Sequence, residues 1–118
     1  MGRGRKRRKH DRWRQVHRWL MDEFPVPRPV DLKIARMPRN EYGDCERVGP
    51  RLVIRINASL GWRMGNDILM HEYAHAMTWP LARVEDSVPH HSDEWGLAFA
   101  RLYRAFDEED GDERADSY

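Results

Sequence analysis

Two histidines four residues apart restrict how the middle of this chain can fold. The segment His71-Glu72-Tyr73-Ala74-His75 has the form H-E-x-x-H. On a helix, positions i and i+4 lie on one face, so both imidazoles can bind one Zn²⁺ at about 2.0–2.1 Å each. Glu72 is not placed as a third ligand, but it can act as general base on a water molecule at the metal. The spacing therefore predicts two ligands and a base on one helix.

The residues around the motif favour that helix. Gly65, Asn66 and Asp67 are cap-type residues, an apolar stretch begins at Ile68, and Pro80 is a stop signal. The motif also arises by chance, and two histidines on a half-buried helix are the structural alternative.

Composition limits the class of protein. The 118 residues suffice for one domain with a modest core, which a zinc ion would help to stabilise. A single cysteine, Cys45, excludes an internal disulfide, a CxxC pair and a cysteine-based zinc ribbon. The basic start continues into Trp13-Arg14-Gln15 instead of an apolar run, and no segment approaches the roughly 20 apolar residues of a membrane span. We therefore expect a cytoplasmic protein without a membrane partner.

Charge is distributed unevenly although the formal net charge is only +1. The stretch from Arg3 to Lys9 is almost entirely basic, and the stretch from Asp107 to Asp116 is mostly acidic. This pattern predicts one domain over residues 11–106, between a basic disordered tail at 1–10 and an acidic disordered tail at 107–118. The basic tail is suited to non-specific contact with DNA phosphates, or it serves only to keep the chain soluble.

Periodicity predicts an α+β fold. Helical spacing indicates a first helix over 11–24 with Trp13 and Leu20 in the core and His17 on the surface. Alternation and turn signals predict a sheet of about three strands at 30–37, 42–48 and 51–58. The H-E-x-x-H helix follows, and a last helix over 93–106 presents one core-facing stripe, which consists of Trp95, Phe99, Leu102 and Phe106.

A catalytic zinc usually has three protein ligands and an open position. The metzincin pattern is excluded, because its third histidine would fall at Leu81. The acidic and histidine side chains further along are the candidates: Glu85, Asp86, His90, His91 and Glu94. We prefer His91, because it directly precedes Ser92, the expected N-cap of the last helix. His90 and the carboxylates of Glu85 and Glu94 stay open as alternatives.

The two motifs together, His71-Glu72-Tyr73-Ala74-His75 and His91-Ser92-Asp93-Glu94-Trp95 with the following Gly96, resemble the SprT-like (Spartan-type) zinc metallopeptidase domain in its short phage and bacterial form. The resemblance covers roughly residues 11–106. Ser92 stands where that family usually has glycine, and Trp95 where it often has phenylalanine. The family's common C-terminal zinc ribbon is absent.

The resemblance implies a zincin-like fold, a zinc ion held by His71, His75 and His91, and Glu72 as catalytic base in peptide hydrolysis. It also implies a protein or peptide substrate, work near DNA, and the cytoplasm of a bacterium or a phage-infected cell. Candidate oxyanion donors are Tyr42, Tyr73 and Tyr103, and we expect strand 51–58 to bind the peptide by its edge. The alternatives are a regulatory, repressor-cleaving metallopeptidase and a non-catalytic zinc-stabilised module that binds nucleic acid.

Overall fold

The part of the chain that the structure describes has the predicted α+β architecture, with three helices and a small sheet, which is mixed. The computed structural model describes residues 2–79 and 93–117, with side chains over 8–79 and 93–108. The elements in order are α1 (Gly2–Glu23), β1 (Val30–Ala35), β2 (Gly43–Val48), β3 (Arg51–Asn57), α2 (Trp62–Met77) and α3 (Asp93–Ser117).

The sheet has the order β1-β3-β2, with β1 parallel and β2 antiparallel to β3. A tight turn at Gly49-Pro50 joins β2 to β3, and the φ of 60° at Gly49 suits the first central position of a hairpin turn. Because β3 is the central strand, both of its edges are already paired. The expectation that strand 51–58 offers a free edge to a peptide was therefore wrong.

One face of the sheet carries the core and the other carries ion pairs. Leu52, Ile54 and Ile56 alternate along β3 and are buried, together with side chains of all three helices. On the opposite face, Arg51 binds both carboxylate oxygens of Asp31, at 2.7 and 3.0 Å. Helices α1 and α2 therefore pack on the core face of the sheet, and α3 packs against α2. The H-E-x-x-H helix lies on this face.

Helix α1 packs through the stripe that its periodicity indicated. Trp13 and Leu20 have no exposed surface, which confirms their place in the core. His17 was expected on the surface, but it is buried, and its Nε2 lies 2.9 Å from the Val30 carbonyl oxygen. Burial lowers the pKa of His17, against the raising effect of that hydrogen bond. The histidine lies on the same side of α1 as the core stripe, and a backbone partner on β1 makes its burial tolerable.

Helix α2 begins six residues before the predicted apolar stretch at Ile68. Its N-cap is Gly61, with no side-chain cap, so Gly65, Asn66 and Asp67 lie inside the helix. The reason is a tertiary contact. Gly65 faces the indole of Trp13, and the absence of a side chain lets α1 and α2 approach closely.

The two end helices also extend past their predicted bounds. The backbone is helical from Gly2 and as far as Ser117, where disordered tails were expected. Glycine at positions 4 and 111 and acidic residues near the end of α3 disfavour helix, so local propensity does not account for these extensions. The division of the chain at residues 10 and 107 stays a prediction.

A search of the described part of the chain finds no helix that combines the length and the apolar character needed to cross a membrane.

Candidate metal centre

Helix α2 places both motif histidines on one accessible face. The rings of His71 and His75 lie edge to face, with centroids 5.0 Å apart. Both side chains are half-buried, whereas the apolar residues on the opposite face of the helix are fully buried, including Leu69, Met70 and Tyr73. The core thus fixes the rotation of the helix and points the two imidazoles away from it.

Glu72 occupies the protected side of this pair. Only 8 % of the residue is exposed, and its Oε2 lies 4.0 Å from Nε2 of His71. Burial raises the pKa of Glu72 to about 7, and the negative charge of Asp44 adds to the effect. This value belongs to the metal-free site, because a bound Zn²⁺ would favour the charged carboxylate and lower the pKa of Glu72.

The donor set fits a zinc ion. One ligand atom from each of His71, Glu72 and His75 can be chosen so that all lie within 4.8 Å of one another. Two nitrogens bound to one zinc are at most about 4.2 Å apart, so small side-chain rotations bring the imidazoles into range. Two imidazoles are borderline ligands of the kind that zinc prefers. The two histidines would hold the ion, and Glu72 would stay beside it.

Strand β2 lies along the Glu72 side of the centre. A Cβ atom on Gly43 would be 2.6 Å from Cγ2 of Ile68, so β2 and α2 are in close contact there. The pKa of the Cys45 thiol is raised to about 12, mainly by burial. The negative charge of Glu72 raises this pKa further, which shows that Glu72 lies near Cys45. A thiol that stays protonated is a poor nucleophile, so Cys45 is not suited to covalent catalysis.

Helix α3 supplies the other side of the centre. The Trp95 ring centroid lies 4.9 Å from that of His71 and 5.5 Å from that of His75. Phe99 stacks on Trp95 at 4.8 Å. The periodicity had assigned both aromatic residues to the core. Leu102 and Phe106 are buried in the core, whereas Trp95 and Phe99 are partly buried against it and also contact the histidine rings.

The predicted third ligands divide into two groups. His91, His90, Glu85 and Asp86 lie outside the described residues. Glu94, in the first turn of α3, is described and exposed, and it is not part of the cluster formed by the two histidines and Glu72. The assignment of His91 as the third zinc ligand therefore stays a prediction.

The three tyrosines considered as oxyanion donors have different surroundings. Tyr73 is fully buried, and its hydroxyl donates to the Phe24 carbonyl oxygen at 2.7 Å. Tyr103 donates to Asp67, one turn before His71 on α2, and Tyr42 is 51 % exposed just before β2. Burial and a committed hydrogen bond remove Tyr73 from the candidates.

Comparison with known proteins identifies no relative of this chain. The chain matches no protein-family model, no curated protein and no solved structure. The resemblance to the SprT-like domain therefore rests on its two histidine motifs alone.

Proposed function

We propose that this chain is a zincin-like, zinc-dependent metallopeptidase that hydrolyses peptide bonds. The observation that carries the proposal is the cluster on α2, where a buried carboxylate lies beside two accessible imidazoles. A structural zinc site is closed and has no use for a base. The protected position of Glu72 beside an accessible histidine pair is what a hydrolytic site requires.

Each motif residue has one role in this proposal. His71 and His75 bind Zn²⁺ through ring nitrogens, and His91 is the third ligand. When bound, the ion supplies a Lewis acid that polarises a carbonyl group and acidifies water. Glu72 removes a proton from the attacking water and delivers it to the leaving amine, which are the roles of a general base and a general acid.

His91 fits this role by its position in the chain. It precedes the first residue of α3, Asp93, by only two positions, which is at most about 7 Å of extended backbone. The first turn of α3 carries Trp95, which touches both motif histidines. The chain therefore enters α3 close to the histidine pair, where a third imidazole is needed.

The substrate is proposed to bind along β2 instead of β3. Strand β2 is an edge strand of the sheet formed by the described residues, and it borders Glu72. An extended peptide can add to such an edge through backbone hydrogen bonds, which places its scissile bond beside the carboxylate. A cross-linkable peptide that labelled β1 but not β2 would refute this placement.

A decisive experiment compares zinc content and peptide cleavage in four proteins. Elemental analysis gives zinc per chain, and mass spectrometry follows hydrolysis of a random-sequence peptide library. The wild type should hold about one zinc and cleave. Glu72→Gln should keep the zinc and lose about 10²–10⁴-fold in rate. His91→Ala should lose zinc affinity, whereas the control Glu94→Gln should match the wild type.

The outcomes separate the parts of the proposal. A wild type that takes up no zinc would refute the metal centre. Undiminished cleavage by Glu72→Gln would refute its role as base. Zinc retained in His91→Ala but lost in Glu94→Gln would transfer the third ligand to the carboxylate.

The proposal includes non-specific DNA binding by the basic start of the chain. Helix α1 begins at Gly2, so these basic residues lie on a helix continuous with the domain. Changing the four cations among residues 3–7 to glutamine should weaken binding of a duplex oligonucleotide and flatten its salt dependence, because each phosphate contact contributes about −0.9 to the log–log slope. Changing Arg36 and Arg39, in the loop after β1, is the control. Equal binding by the helix variant would refute this role.

A further inference from the structure

Trp95 makes three contacts with the H-E-x-x-H helix. Its ring meets His71 at 61° between planes and lies tilted by 32° over His75. Its indole N–H donates to the backbone carbonyl oxygen of His71 at 3.2 Å. One side chain therefore touches both imidazoles and is tied to the backbone that carries the first of them.

The indole is itself held in place along α3. Phe99 stacks on it with only 15° between the planes, and the rings of Phe99 and His71 lie nearly perpendicular with centroids 6.1 Å apart. One turn later, Tyr103 contacts Phe99 and donates to Asp67 of α2. The contacts run along α2 in reverse order, so α3 lies antiparallel to α2 beside the motif. Trp95 cannot shift without disturbing this row of contacts.

A role in the core alone does not account for these contacts. Leu102 and Phe106, on the same stripe of α3, are buried among the core residues, whereas Trp95 is only half-buried. Trp95 packs against the edge of the core and in addition contacts both histidine rings. Its indole N–H, a polar group that phenylalanine lacks, donates to the backbone carbonyl oxygen of His71, a proposed ligand.

Metal affinity depends on how well the ligand rings are oriented before the metal binds. A free imidazole side chain samples several rotamers, and selecting one of them upon binding costs entropy. Groups outside the ligand set that fix ring orientation typically change metal affinity by about 10–100-fold when they are replaced. An aromatic ring packed against two imidazoles restricts both at once.

We propose that Trp95 is a positioning residue that holds His71 and His75 in the orientation that binds the metal. The inference rests on the proposed metal centre and adds to it a determinant of affinity that lies outside the H-E-x-x-H motif. Its consequence is that the docking of α3 and metal binding are coupled, because the same ring serves both.

The test uses two substitutions of Trp95 and one matched control. Trp95→Leu removes the ring, and Trp95→Phe keeps a ring but loses the N–H. Phe106→Leu removes a buried aromatic ring from the same helix, about three turns further along, where it contacts Trp19 at 5.9 Å. Three properties are measured: zinc affinity by competition with a chromogenic chelator, thermal stability of the metal-free protein, and NMR shifts of the histidine ring protons.

We expect Trp95→Leu to bind zinc about 10–100-fold more weakly than the wild type, and Trp95→Phe to fall between them. The ring protons of His71 and His75 should shift in metal-free Trp95→Leu, because the ring current of the indole is lost. Phe106→Leu should lower the melting temperature and leave both the zinc affinity and these shifts unchanged.

Wild-type zinc affinity in folded Trp95→Leu would refute the inference, whether or not the histidine shifts change, and leave the metal centre standing. An equal loss of affinity in Phe106→Leu would also refute it, since general loosening of α3 would then be the cause. A wild type that binds no zinc would refute the proposed function and this inference with it. If Trp95→Leu does not fold, the comparison of Trp95→Phe with Phe106→Leu decides in the same way.

Discussion

Replacing Gly65 with alanine would place a methyl group against the indole of Trp13. The new Cβ would lie 2.7 Å from Cη2 of the ring and closer still to Cζ2 and Cε2. Ordinary contact begins at 3.4 Å, so the ring would have to retreat by at least 0.7 Å even at Cη2. Trp13 has no exposed surface, and its indole N–H donates to the Trp62 carbonyl oxygen at 3.0 Å. The ring can therefore retreat only if α1 moves.

The magnitude follows from opposing contributions. Overpacking a core costs about 1–3 kcal/mol, and losing the Trp13 hydrogen bond costs about 1 kcal/mol more. Alanine inside a helix gains about 0.8–1.0 kcal/mol over glycine. We expect a net loss of about 2 kcal/mol in the free energy of unfolding. At about 4 °C per kcal/mol for a chain of this length, the melting temperature should fall by about 8 °C.

Gly96→Ala is the matched control, because the same substitution should have the opposite sign. Gly96 lies in the first turn of α3, and a Cβ there would meet nothing within 4 Å. This variant should gain about 0.4–1 kcal/mol. Circular dichroism during heating and urea titration would measure both. If Gly65→Ala were as stable as the wild type or more so, the close approach of α1 to α2 at Trp13 would be wrong.

Three further predictions concern stability. Burial lowers the pKa of His17 in the folded chain. As pH decreases below the unfolded value of 6.5, the unfolded chain therefore takes up a proton at His17 before the folded chain does. The free energy of unfolding should fall between that pH and the lower pKa of the folded chain. Urea titrations at several pH values should show a smaller fall in His17→Gln than in the wild type. Equal dependence of the unfolding free energy on pH in both proteins would contradict this prediction. Gly43→Ala should lose about 1–3 kcal/mol, because its methyl group would lie 2.5 Å from the Arg55 carbonyl oxygen; an unchanged urea midpoint would argue against that contact. Asn57→Ala should also lose about 1–3 kcal/mol, because the buried amide donates to the Glu41 carbonyl oxygen at 2.8 Å, and thermal unfolding would measure the loss.

The sequence was informative wherever one local rule applied without competition. Alternation in β3, the helical stripe through Trp13 and Leu20, and the turn at Gly49-Pro50 all predicted elements that the structure confirms. Element ends were less predictable. Gly65 satisfied the rule for a helix start, but it serves a contact with α1 that local sequence does not reveal.

For the candidate site, the spacing of His71, Glu72 and His75 was enough to place three functional groups together. The i, i+4 repeat depends only on helix geometry. The role of Trp95 was not predictable, because its spacing with Phe99 is the same as that of ordinary core residues. Its NH-to-carbonyl bond with His71 spans 24 residues and is a property of how α3 docks.

The sequence by itself determined the α+β class, the histidine pair with its neighbouring carboxylate, and most of the core, because these depend on periodicities of two or a few residues. Only the tertiary structure decided that β3 is central, that β2 borders Glu72, and that His17 is buried. It also decided the environment that raises the pKa of Glu72 to about 7. The physical reason is that strand order, burial and electrostatic environment depend on contacts between distant segments, and a local pattern contains no information about its partner.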